Sequence, residues 1–113
     1  MSQNHNQLSV SPTCLNSLRG GFIILDVRKP AARSASGLKI PGALWRHPFD
    51  AVNWADEFEG MKVAVYCVHG HEVSLAVRGY LADKGIDAVV LEGGLEAWKK
   101  AGLPVNTVDD ADA

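Results

Sequence analysis

The residues Cys67-Val68-His69-Gly70-His71-Glu72 put one thiol, two imidazoles and a carboxylate into a short stretch, with a single glycine between the histidines. A cysteine does chemistry as its thiolate, and the thiolate needs positive charge or converging amide N–H groups nearby to persist at neutral pH. Gly70 lets the backbone turn back so that the N–H groups of about Val68 to Val73 converge on one point, an anion nest. His69 and His71 are placed to supply positive charge beside the sulfur; the plainer reading makes both surface loop residues. Glu72 also has two readings, a carboxylate that repels anionic ligands or a first-turn helix residue facing water. Metal binding by Cys67, His69 and His71 is disfavoured, because alternate residues of so tight a loop seldom converge without donors from elsewhere. The bland alternative for Cys67 is a small residue buried at a strand end.

The flanking elements favour the reactive reading. Val63 to Tyr66 is an unbroken β-branched and aromatic run after Gly60, the composition of a strand buried on both faces of a parallel sheet. After the loop, Val73, Ala76, Val77, Tyr80 and Leu81 recur at three- and four-residue spacing, which predicts a helix whose polar side carries Ser74, Arg78 and Lys84. Cys67 is therefore expected at the carboxyl end of a strand and just before a helix N-terminus. That edge is where open α/β sheets bind ligands, and the helix end there favours an ionised sulfur.

A chain of 113 residues with 47% apolar content builds one domain around a modest core. The net charge of −2 includes no basic run, so nothing suggests a nucleic-acid surface, and no apolar run approaches the ~20 residues of a membrane span. Met1 to Asn6 is polar and lacks the pattern of a secretory signal, so a cytoplasmic location is expected. Cys14 and Cys67 are read as free thiols, with Cys14 packing in a helix beside Leu15 and Leu18.

Along the chain, residues 1–6 are expected to be disordered and Gln7 to Val10 to form a short edge strand. Ser11-Pro12 opens a helix to about Leu18, and Phe22 to Val27 is a strand. Pro30 opens a weak helix, Ala31 to Ala35, that Gly37 stops; a turn at Ile40-Pro41-Gly42-Ala43 and a brief strand at Ala43 to Trp45 follow. Asp50 is placed to cap a helix carrying Val52, Trp54, Ala55 and Phe58. Ala88 to Leu91 is a further strand, Glu92-Gly93-Gly94 a turn, and Leu95, Ala97 and Trp98 belong to a last helix. Residues 106–113 read as a disordered acidic tail, and Trp45, Trp54 and Trp98 as core or cover. Alternating strands and helices predict a parallel sheet covered on both faces.

Four segments in this order resemble the single-domain rhodaneses, a sulfurtransferase family: Leu25-Asp26-Val27-Arg28, Ile40-Pro41-Gly42-Ala43, Tyr66-Cys67 with Gly70, and Leu91-Glu92-Gly93-Gly94 with Glu96, Ala97 and Trp98. The resemblance covers residues 7–105. It implies an α/β fold with a five-stranded parallel sheet flanked by helices. It also implies a catalytic Cys67 that takes a sulfane sulfur from thiosulfate or a persulfide, holds it as a persulfide and passes it to a thiol or cyanide, without metal or organic cofactor. Partners would be small sulfur donors and thiol acceptors, free or protein-borne.

The departures from that pattern are specific. Val68 and Glu72 stand where many rhodaneses carry an arginine and a later cationic or hydroxyl residue, and Lys39 where relatives often have a histidine. Arg33 and Arg46 fall in loops on the expected active edge and are candidates for donor binding, whereas Arg28 is expected to pair with a carboxylate. Cysteine-dependent phosphatases share this architecture, but Val73 occupies the place of their phosphate-clamping arginine. A sulfur carrier or persulfide-sensing interaction module, turning over poorly, is the alternative function.

Overall fold

The central strand β5 (Lys62–Tyr66) sends its side chains alternately into two separate cores, the period-2 consequence of strand geometry. Val63 and Val65 face one side with Leu25, Ala88 and Val90; Ala64 and Tyr66 face the other with Ile24, Val89 and Leu91. A strand apolar on both faces has to be covered on both, and here it is. The computed structural model describes residues 8–108.

Within them run β1 (Ser9–Val10), α1 (Pro12–Leu18), β2 (Ile23–Asp26), α2 (Pro30–Ser36), β3 (Leu38–Lys39) and β4 (Leu44–Trp45). There follow α3 (Ala51–Trp54), β5, α4 (Glu72–Asp83), β6 (Asp87–Leu91), α5 (Gly94–Lys100) and β7 (Asn106–Thr107). The main sheet is wholly parallel, in the order β1-β6-β5-β2-β4. Helices α3 and α4 supply Trp54, Val77 and Leu81 to the first core, while α1 and α5 supply Leu15, Leu95 and Trp98 to the second. Trp98 is fully buried, with its indole N–H donating to the Pro104 carbonyl at 2.7 Å. Among the described residues no helix is long and apolar enough to cross a membrane.

Local signals account for most boundaries. Ser11 caps α1, its hydroxyl accepting from the Cys14 amide at 3.2 Å, with Pro12 as the first helical residue. Gly37 ends α2 at φ +69°, a conformation that suits a residue without Cβ.

Four expectations are corrected. Asp50 does not cap the following helix; its carboxylate accepts from the Asn53 side-chain amide at 2.6 Å, and α3 is one turn continued by a 3₁₀ turn at Ala55–Phe58. Val52 points outward, 70% exposed, so only Trp54, Ala55 and Phe58 of that group reach the core. Cys14 is exposed rather than packed, because the single-sided α1 spends its one buried position on Leu15. The tail does not begin at residue 106: Asn106 and Thr107 pair antiparallel with Lys39 and Leu38, a ladder too short to leave a hydrophobic signature. Residues 1–7 and 109–113 lie outside the described residues, so expectations about them stop there.

Candidate active site around Cys67

The register Asp26↔Tyr66 makes β2 and β5 end together, and the Val27 amide still reaches the Tyr66 carbonyl at 2.9 Å. One residue later the ladder stops and Cys67 begins the loop. Its carbonyl accepts from the Leu95 amide at 3.0 Å, and the Val68 carbonyl accepts from Glu96 at 3.1 Å. Both donors lie in the first turn of α5, where backbone N–H groups lack an intrahelical partner. The loop thus satisfies the helix end while the helix fixes the loop. Close approach explains the glycines: a Cβ on Gly94 would stand 2.5 Å from the Cys67 and Val68 carbonyl oxygens, and one on Gly70 would stand 2.7 Å from the Gly93 nitrogen. Reading Gly93-Gly94 as a turn missed this clamp, which only the spatial neighbour reveals.

The Cys67 side chain is nearly covered, with the residue 7% exposed, and its thiol donates to the Ser74 hydroxyl oxygen at 3.1 Å. Ser74 is completely buried, and its own hydroxyl donates to the His71 carbonyl at 3.5 Å. This corrects the placement of Ser74 on the polar side of α4. The buried residues of that helix are Ser74, Val77 and Leu81, one i, i+3, i+7 stripe, and only the polarity of the serine disguised it. Ala76, expected on the apolar face, is exposed.

Above the sulfur lies a cavity of about 460 Å³ lined by Val68, His69, His71, Glu72 and Val73 from the loop and first helical turn, and by Arg28, Lys29 and Ala32 opposite. Five of the loop residues singled out in the sequence therefore meet at Cys67, while Gly70 acts through its backbone against Gly93 and Gly94. Among the described residues no hydrogen-bond acceptor meets the amides of Val68, His69, Gly70 or His71. No three His, Cys, Asp or Glu side chains among the described residues gather into a metal-ligating group.

A family model for the rhodanese-like domain matches residues 11–101, most of the chain. The chain belongs to the rhodanese-like family. It is 30% identical over 108 residues to the uncharacterized protein slr1261 of Synechocystis, covering 91% of this chain and 58% of that protein, so the chain spans little more than half of that relative. It is 33% identical over 86 residues to the thiosulfate sulfurtransferase GlpE of Actinobacillus succinogenes, covering 75% of this chain and 76% of the relative. Among solved structures, a rhodanese-related protein of Thermoplasma volcanium superposes with a TM-score of 0.78 at 27% identity, covering 88% of this chain and 97% of that one. A sulfurtransferase-type family and a five-stranded rhodanese-like fold are thereby shown.

In this rhodanese-like domain the arginines expected near the donor are engaged elsewhere. Arg33 is buried, 3.5 Å from the Asp26 carboxylate and with its guanidinium over the Trp45 ring. Arg46 pairs with Glu57 at 2.6 Å and donates to the Trp45 carbonyl. Neither lines the Cys67 cavity; each is held by a carboxylate, Arg33 by Asp26 and Arg46 by Glu57. Arg28 pairs with Asp26 as expected, bidentate at 2.9 and 2.8 Å, and adds the Leu38 carbonyl at 2.7 Å. Burial alone would lower the Arg28 pKa, but hydrogen bonding and attraction to Asp26 outweigh it and hold the guanidinium above its usual range. The exposed cation that does line the cavity is Lys29, whose ammonium sits over the Phe49 ring at 5.7 Å. Its signal was its position directly after Asp26-Val27-Arg28, at the carboxyl end of β2.

A second cavity of about 470 Å³ adjoins the first and shares Lys29, Glu72 and Val73 with it. Phe49 and Val52 line it while remaining 72% and 70% exposed.

Proposed function

We propose that this rhodanese-like domain is a sulfurtransferase in which Cys67 is the nucleophile. The Cys67 thiolate attacks the outer sulfur of thiosulfate or a persulfide; a new S–S bond forms, the old one breaks, and sulfite or a thiolate leaves with the electron pair. The terminal sulfur of the resulting persulfide carries the negative charge, and amides of Val68 to His71 are available to receive it. A thiol or cyanide then removes that sulfur and restores the thiolate. The observation that carries this reading is a nearly buried thiol at the end of β5, facing a cavity lined by a loop whose Val68 to His71 amides meet no acceptor among the described residues. The similarity to the thiosulfate sulfurtransferase of A. succinogenes supports thiosulfate as a donor to test first.

One feature favours a slower relative of this activity, a sulfur carrier or persulfide sensor. Glu72 lines the cavity, and no loop arginine offsets it, so a doubly charged donor meets opposing charges from Lys29 and Glu72. Mass spectrometry after mixing with thiosulfate or a low-molecular-weight persulfide tests both: a gain of about 32 Da, one sulfur, on the Cys67 peptide is expected. Repeated thiocyanate formation from thiosulfate and cyanide identifies the enzyme, whereas one equivalent released slowly identifies the carrier. No mass gain with any donor overturns the assignment.

A further inference from the structure

Ser74 is the only side chain that hydrogen-bonds the Cys67 sulfur among the described residues, and it is completely buried. Its hydroxyl has one proton and two partners: Sγ of Cys67 at 3.1 Å and the carbonyl oxygen of His71 at 3.5 Å. With a neutral thiol, the S–H donates to Oγ and the O–H donates to His71. Once the sulfur is a thiolate it can only accept, so the hydroxyl turns to donate to it.

We propose that Ser74 is a catalytic hydroxyl that stabilises Cys67 as the leaving thiolate when sulfur is delivered to the acceptor. The inference rests on the sulfur-transfer reading and adds the half-reaction that Ser74 serves. In the persulfide the inner sulfur is uncharged and a poor acceptor, so the Ser74 hydroxyl keeps donating to the His71 carbonyl. Attack by cyanide on the outer sulfur forms a C–S bond as the S–S bond breaks. The electron pair of that bond remains on Sγ of Cys67, giving thiocyanate and the Cys67 thiolate. Charge therefore develops at Sγ only during delivery, and the hydroxyl swings to meet it as it appears. An interaction stronger in the transition state than in the persulfide accelerates that step.

The effect on loading differs in kind. A thiolate relieved of a hydrogen bond is less often formed but attacks faster once formed, so the two consequences oppose each other. Delivery has no such compensation, since a less stabilised thiolate is simply a worse leaving group.

The test uses the whole chain loaded with inorganic polysulfide, which places one sulfur on Cys67 without requiring recognition of thiosulfate. Loading is followed by the gain of about 32 Da, and delivery by thiocyanate formation in a single turnover with cyanide. Both are run at one pH and ionic strength, so that Lys29, Arg28, His69, His71 and Glu72 around the cavity carry the same charges in each protein. Ser74→Ala is expected to slow delivery about tenfold or more, the loss of one hydrogen bond to a charged group, and to slow loading much less. Ser74→Thr, which keeps the hydroxyl, is expected to recover delivery. Ser74→Gly removes the same hydroxyl and replaces the alanine variant if near-ultraviolet circular dichroism shows that variant to be misfolded. Unchanged delivery in the hydroxyl-free variant, or an equal fall in both half-reactions, overturns the role of Ser74. A wild-type protein that gains no sulfur from polysulfide overturns the sulfur-transfer reading instead.

Discussion

The Leu95 amide donates to the Cys67 carbonyl at 3.0 Å, so the last helix of the chain holds the first residue of the loop that carries the thiol. The approach is close enough to exclude a side chain at Gly94, where φ is +62° and a Cβ would meet two carbonyl oxygens at 2.5 Å. Backbone atoms cannot yield as a flexible side chain can. Gly94→Ala is expected to cost about 2–4 kcal/mol, from a left-handed residue plus a steric clash, and to abolish sulfur loading in the fraction that still folds. Urea unfolding measures the first effect and mass spectrometry the second. A variant as stable as wild type and fully loaded would show that the clamp does not constrain the loop.

Replacing the sulfur itself separates chemistry from scaffold. Cys67→Ser preserves size, and Ser74 is still in place to hydrogen-bond the new hydroxyl, so circular dichroism and the unfolding midpoint are expected to change little. Loading and thiocyanate formation should vanish. Cys14 is exposed on α1, so Cys14→Ser is expected to leave both intact; sulfur retained by the Cys67 variant and lost by the Cys14 variant would reverse the assignment.

Lys29 and Glu72 line the same cavity with opposite charges, and their neutralisation should act in opposite directions on a dianionic donor. Glu72→Gln is expected to raise kcat/KM for thiosulfate about two- to fivefold and Lys29→Gln to lower it by a similar factor, both effects shrinking as salt is added. The modest size reflects solvent exposure of both residues. Equal rates for Glu72→Gln and wild type at low salt would mean that the carboxylate faces water and leaves the donor unaffected.

What was legible in the chain, and what was not, follows the range of each signal. Residues 63–66 announced a doubly buried strand because every side chain is apolar, and Ser11-Pro12 and Gly37 announced caps because their effect is local. The meeting of Val68, His69, His71, Glu72 and Val73 at Cys67 followed from contiguity. The Gly94 clamp was hidden because it joins segments distant in sequence. Ser74 was hidden because a polar residue on a buried stripe reads as a surface residue until its partner is seen. Arg33 and Arg46 lie near the expected edge in sequence, but their direction is set by Asp26 and Glu57, carboxylates that composition alone could not pair with them.

Tyr66, beside Cys67, ties stability to alkaline pH. Its phenol oxygen accepts from the Ile40 amide at 3.2 Å inside the second core, and burial first, then the Asp26 charge, raise its pKa well above the ordinary 10.0; the Ile40 hydrogen bond and Arg28 offset this only in part. Below pH 10.0 the phenol is protonated in both folded and unfolded chains and stability does not depend on it. Above that pH the unfolded chain releases the proton while the folded one keeps it, so the unfolded state gains and stability falls by about 1.4 kcal/mol per pH unit from this group. Tyr66→Phe removes this slope but leaves the Ile40 amide buried without its acceptor, at a cost of about 1–3 kcal/mol at neutral pH. Unfolding curves for the two proteins are therefore expected to differ most at pH 7 and to converge as pH rises past 10.0. Parallel pH profiles for wild type and Tyr66→Phe would mean that the phenol ionises as readily in the folded protein as in the unfolded chain, and that its burial is incomplete.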